Sequence, residues 1–158
     1  MSSKAALIEA LAPVLEVVRG VDPSDPGAAA HLAATLPADD ERITKLAAVL
    51  RDAVSAGTDV CHHEAGGVRF SRVKKPGDDG LSVDAVHMDA PGPGHTHPNG
   101  ELDLCFAVSG EPTFDGNAPG WTVYPPGSWH VPTVAGGVMD ILYFLPGGAI
   151  RFEPDPGA

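Results

Sequence analysis

The chain has 158 residues, a mean hydropathy of zero and a formal net charge of -11, the size of one ordinary domain able to bury a core. Ten Lys and Arg stand against 21 Asp and Glu, which argues against a nucleic-acid partner or an anionic membrane surface, since both need a basic face. Cys61 and Cys105 form neither a disulfide framework nor a CxxC knuckle and read as buried thiols, and no signal-peptide pattern or membrane-length apolar run is visible, so a cytoplasmic protein is expected.

In chain order, the spacing first predicts helices. Leu7, Leu11, Val14, Leu15 and Val18 recur at three- and four-residue steps over Lys4 to Arg19, with Pro13 as a point of kinking and Gly20 as a stop. Asp25-Pro26 opens a short second helix over Ala28 to Leu36. A third begins at Asp39, Asp40 and Glu41, which suit its positive end, carries Ile43, Leu46, Ala47, Leu50 and Val54 on one face, and closes at Gly57. Residues 1–57 therefore read as a helical extension and residues 58–158 as a β domain. In the latter, candidate strands run over Gly67–Val73, Leu81–Met88, Gly94–His97, Glu101–Val108, Gly120–Tyr124, Ser128–Pro132, Val138–Phe144 and Ala149–Glu153. Short strands with frequent Gly, Pro, Asn and Asp turns predict a mainly β sandwich or jelly roll.

The chemistry gathers in GHTHPNGELDLC, residues 94 to 105. Residues two apart on a strand point the same way, so His95 and His97 aim both imidazoles into one space. Pro98-Asn99-Gly100 turns the chain, Glu101 opens the next strand, and His130 follows a second Pro/Gly turn. Three imidazoles and one carboxylate suit a divalent or trivalent transition metal (Fe, Mn, Zn, Co or Ni) with open positions for water or substrate.

HTHPNGE (95–101), Gly120 and PPGSWH (125–130) resemble the two signatures of the cupin superfamily. The resemblance implies a single jelly-roll barrel in which His95, His97, Glu101 and His130 are the metal ligands. Over the whole chain, the Ala-rich helical start, GHTHPNGELDLCFA, GWTVYPPGSWHVPTV and VMDILYFLPGGAIRF are similar to the 4-hydroxylaminobenzoate lyase family. That likeness implies a metal-dependent lyase turning 4-hydroxylaminobenzoate, a small aromatic acid formed from 4-nitrobenzoate, into protocatechuate and ammonia.

Strand alternation adds candidates around the ligands. With Glu101 facing the metal, Asp103 and Cys105 share its side while Leu102, Leu104 and Phe106 face apolar packing, so Asp103 is the candidate general base beside a Lewis-acid metal. In Val68-Arg69-Phe70-Ser71-Arg72-Val73 the two arginines lie on opposite faces, and one of Arg69 and Arg72 can turn inward to clamp a substrate carboxylate. Tyr124 and Trp129 flank His130 as candidates for stacking on an aromatic ring. His62 and His63 fit a surface loop better than the barrel mouth. The same ligand set also serves an iron-dependent dioxygenase acting on an aromatic or thiol substrate, and a non-catalytic binding cupin is a third reading. Exposed strands predict a homodimer or larger homo-oligomer, with the helices closing a sheet edge.

Overall fold

A computed structural model describes residues 1–157. Three helices come first: α1 (Ser3–Val18), α2 (Ala28–Thr35) and α3 (Glu41–Ala56). Ser2 caps α1 by accepting from the Ala5 amide at 3.0 Å, and the helix continues through Pro13. Pro13 lies on the exposed face, as does Glu9, whose carbonyl it leaves without an amide partner. Asp40 caps α3 through the Arg42 amide at 2.9 Å, and Gly57 ends it in the left-handed region at φ 64°, a conformation that favours glycine. Among the described residues no helix is long and apolar enough to cross a membrane.

Among the described residues nine strands follow: β1 (His63–Ala65), β2 (Val68–Lys74), β3 (Leu81–Met88), β4 (His95–His97), β5 (Glu101–Phe114), β6 (Gly120–Tyr124), β7 (Ser128–His130), β8 (Val134–Pro146) and β9 (Arg151–Phe152). They form a six-stranded sheet in the order β1-β2-β3-β8-β5-β6 and a three-stranded sheet in the order β7-β4-β9, with every pairing antiparallel. The fold class is the mainly β jelly roll with a helical N-terminal part expected from the sequence.

The large sheet has two apolar faces. Its outer face sets Leu102, Leu104, Leu142 and Phe144 against Leu7, Leu11, Leu46 and Leu50 of the helices. Its inner face carries Met88, Cys105, Phe114, Met139, Ile141 and Tyr143 toward the small sheet. The helices thus cover a sheet face rather than closing an edge, because an apolar outer row on the central strands has to be shielded from water.

Two features differ from the sequence pattern. Strand β1 was not foreseen, since His63, Glu64 and Ala65 are all exposed and show no alternation. Strands β5 and β8 run well past the predicted ends at Val108 and Val138, through Gly110, Pro112, Gly136 and Gly137, residues that ordinarily mark turns. Here they form bulges, with register shifts between Ala107 and Ser109 and between Gly110 and Thr113. The backbones come so close that a Cβ on Gly137 would lie 2.1 Å from the Ser109 carbonyl oxygen, so glycine is required there.

Candidate metal centre

The small sheet assembles the histidines. Antiparallel pairing of β4 with β7 sets His95 directly opposite His130, while the strand period puts His97 on the same side as His95. The chain then turns at Gly100, whose φ of 87° and close approach to Pro23 admit no side chain, since a Cβ would lie 2.6 Å from the Pro23 Cβ. That turn delivers Glu101 as the first residue of β5 in the opposite sheet. One ligand atom from each of His95, His97, Glu101 and His130 lies within 4.8 Å of all the others. His95 Nε2 and His130 Nε2 stand 3.5 and 3.6 Å from Glu101 Oε2, and His97 Nε2 is in direct contact with it.

The outer ring nitrogens explain why this cluster could hold a cation. His95 Nδ1 lies 3.1 Å from the Pro93 carbonyl, and His130 Nδ1 2.5 Å from Asp115 Oδ2, so both rings donate from Nδ1. His97 Nδ1 lies 2.9 Å from Ser128 Oγ, whose own hydrogen is given to the Pro125 carbonyl at 2.6 Å, so the serine accepts and His97 also donates from Nδ1. With Nδ1 engaged outward, all three Nε2 atoms turn to one buried space, where each ring presents a lone pair when neutral, and those of His95 and His130 are only 3.2 Å apart. Among the described residues, His97 Nε2 and both oxygens of Glu101 and of Asp103 are buried without a hydrogen-bond partner. Converging acceptors without donors are costly in a protein interior, and a cation is the group that satisfies them all. The N/O donor set, with the outer ring nitrogens held in place, fits a transition metal.

Protonation in the metal-free chain follows from the same contacts. Burial pushes Glu101 up, but the surrounding imidazoles of His130, His95 and His97 outweigh it and hold the carboxyl well below the usual range. Burial, then the neighbouring charge of Glu101, pushes Asp103 well above it. A proton on Asp103 prevents two adjacent buried carboxylates from both carrying charge. Burial lowers His130, but its bonds to Asp115 and Glu101 raise it to about 9. Asp115 itself accepts from His130, from the Tyr124 hydroxyl and from the Thr133 amide at 2.7 Å. Its backbone is left-handed at φ 50°. Sequence reasoning missed Asp115, because Phe114-Asp115-Gly116-Asn117 reads as an ordinary turn and only the fold carries it to His130.

A family model described as PnbB, 4-hydroxylaminobenzoate lyase, matches residues 9–152. The chain belongs to the 4-hydroxylaminobenzoate lyase family. A 4-hydroxylaminobenzoate lyase of Nocardioides sp. (strain LMS-CY) is 32% identical over 126 residues, 72% of this chain and 74% of that one. Another, of Pseudomonas putida, is 29% identical over 135 residues, 73% of this chain and 76% of that one. Among solved structures, an RmlC-like cupin protein from Ralstonia eutropha JMP134 is matched at a TM-score of 0.43 and 16% identity, over 58% of this chain and 62% of that one.

In this member of the lyase family a cavity of about 480 Å³ opens beside His95, walled by Val68, Phe70, Val86, Met88 and Tyr143. Arg72 also lines it, with its Nε on Asp84 Oδ1 at 2.8 Å and a second nitrogen on the Gly148 carbonyl at 3.3 Å. Arg69 takes the opposite face of β2 and gives its hydrogens to the carbonyls of Cys61 at 3.2 Å and Val54 at 3.1 Å, outside the cavity. Tyr124 is brought to the ligands, its ring stacked on His97 at 5.3 Å between centroids. Trp129 points away from them, donating to the Glu153 carbonyl at 2.9 Å and packing over Gly94. His62 and His63 are exposed, near Phe70.

Proposed function

We propose that the chain is a metal-dependent lyase that converts 4-hydroxylaminobenzoate, or a closely similar hydroxylamino-aromatic acid, with one water to protocatechuate and ammonia. The observation that carries this reading is the convergence of three imidazole lone pairs and a carboxylate beside an apolar cavity that has a guanidinium in its wall. Membership of the lyase family supports the substrate class.

His95, His97, His130 and Glu101 would hold the metal. When bound, it supplies Lewis-acid charge for the hydroxylamino oxygen. Arg72, its Nε and Nη2 held by Asp84, offers its remaining guanidinium hydrogens to the benzoate carboxylate, and the apolar walls hold the ring and exclude water. Asp103, its carboxyl pushed up by burial and by neighbouring Glu101, is placed to give a proton to the departing hydroxyl as the N–O bond breaks, so that oxygen leaves as water. The Asp103 carboxylate then takes a proton from a water that adds to the ring carbon next to the nitrogen. Hydrolysis of the resulting imine expels ammonia, and loss of the ring proton restores the aromatic ring as a catechol. One water leaves and two enter, so atoms balance with one water consumed and no redox partner.

In this sequence both ring hydroxyl oxygens of the product come from water. The test is turnover of 4-hydroxylaminobenzoate by metal-loaded protein in 18O-water under argon, with product followed by mass spectrometry. Doubly labelled protocatechuate and one equivalent of ammonia are expected. Strict dependence on dioxygen would overturn the scheme in favour of the dioxygenase reading.

A further inference from the structure

A line of polar side chains crosses the inner face of the large sheet. Arg72 on β2 is the register partner of Asp84 on β3, Asp84 that of Tyr143 on β8, and Tyr143 that of Asp103 on β5. Neighbouring strands lie about 4.8 Å apart, so the backbones at the two ends of this line are roughly 14 Å apart. The cavity lies over this line at Arg72, Asp84 and Tyr143. Tyr143 is the inner member of the line that neither the metal cluster nor the carboxylate clamp uses.

Among the described residues, the surroundings of its hydroxyl are poor in acceptors. Tyr143 is only 5% exposed, and its ring lies 6.3 Å from that of His95, with both in the wall of the cavity. The one partner of its hydroxyl among the described residues is Met88 Sδ at 4.0 Å, a weak thioether acceptor at long range. Buried tyrosine hydroxyls ordinarily find a good partner, and those that lack one at a cavity wall are available to a ligand. Met88, Ile141 and Phe114 leave the rest of this neighbourhood apolar.

We infer that Tyr143 is a substrate-binding donor: its hydroxyl gives a hydrogen bond to the oxygen substituent that the ring carries at the end opposite the carboxylate. The inference rests on the aromatic-acid reading above. It makes the pocket discriminate between para-oxygenated benzoates and benzoate itself by a donor supplied from the large sheet, independently of the histidine ligands on the small one.

The experiment measures binding of 4-hydroxybenzoate and of benzoate, by calorimetry, to zinc-loaded wild-type protein and to the Tyr143→Phe variant, which keeps the ring and removes only the hydroxyl. The wild type should prefer 4-hydroxybenzoate, and Tyr143→Phe should lower that preference about fivefold while leaving benzoate affinity unchanged. Because any contact of the ligand hydroxyl with zinc is common to both proteins, the change in preference isolates the tyrosine. An unchanged preference overturns the inference while leaving the aromatic-acid reading intact. Equal weakening of both ligands overturns it too, by showing a packing role. If the wild type binds neither ligand, the aromatic-acid reading fails and takes the inference with it.

Discussion

Replacing Asp115 by Asn tests the claim that this residue fixes how His130 faces the metal. The aspartate accepts three hydrogen bonds, from His130 Nδ1 at 2.5 Å, from the Thr133 amide at 2.7 Å and from the Tyr124 hydroxyl. Asparagine retains one acceptor oxygen, which the Thr133 amide can keep, and presents an NH2 where Oδ2 stood. Facing that donor, His130 Nδ1 must become an acceptor, which moves the ring proton to Nε2. The proton then points into the cluster, where His95 Nε2 and Glu101 Oε2 lie 3.2 and 3.6 Å away, and the lone pair that would bind metal is lost. Partners of this kind typically contribute 10–100-fold to metal affinity, about 1.4–2.7 kcal/mol at 1.36 kcal/mol per decade. The assay is zinc competition against a chromophoric chelator, with thermal melting of the metal-free variant as a check on folding. A folded Asp115→Asn protein whose affinity stays within twofold of wild type would refute the assignment of His130 orientation to Asp115.

Four further outcomes follow from the same geometry. His130, raised from 6.5 to about 9 by Asp115 and Glu101 against the opposing effect of burial, stabilises the metal-free fold below pH 6.5 and loses that contribution as pH rises through 9. Metal must displace the same proton, so zinc affinity should rise over that window while the melting temperature of metal-free protein falls; melts with and without zinc would disprove this by moving in parallel. Asp103→Asn should keep its metal, measured by elemental analysis, and lose about 100–10,000-fold in turnover, and activity within tenfold of wild type removes Asp103 as the acid/base. Arg72→Met should raise KM for 4-hydroxylaminobenzoate on the order of 10–100-fold and leave N-phenylhydroxylamine, which has no carboxylate, unaffected; equal effects on both would discount the clamp. Leu46→Ala, at a fully buried position under the sheet, should cost about 2–5 kcal/mol in denaturant unfolding with zinc affinity retained in the folded protein.

Much of the site could be read locally, and the part that could not was a matter of register. His95 and His97 are two residues apart and Glu101 follows one turn later, so strand period and turn chemistry bring them together without any knowledge of the fold. His130 joins through a cross-strand pairing with His95 that no local pattern encodes. Alternation put Arg69 and Arg72 on opposite faces of one strand but could not say which face is inside. The ladder Arg72–Asp84–Tyr143–Asp103 decides that, and it also brings in Asp84 and Tyr143, which lack any motif. Asp115 was hidden for a related reason: its reach to His130 requires the bulged extension of β5 through Gly110 and Pro112, a stretch whose composition suggests a loop.

The helical layer bears on the site through that same register. Along β5, Leu102 and Leu104 are buried beneath the helices while Glu101 and Asp103 are buried in the site, and all four are at most 2% exposed. A slip of one residue would move both carboxyls into the helix interface and two leucines into the metal cluster. Burying the two carboxyls is unfavourable, and the apolar outer face offsets it by fixing the strand in the one register that points them at the histidines. Removal of the helices would expose Leu102, Leu104, Leu142 and Phe144 together, so loss of the extension should loosen β5 and β8 and, with them, the position of Glu101. The extension is thereby coupled to the metal centre without contributing any ligand to it.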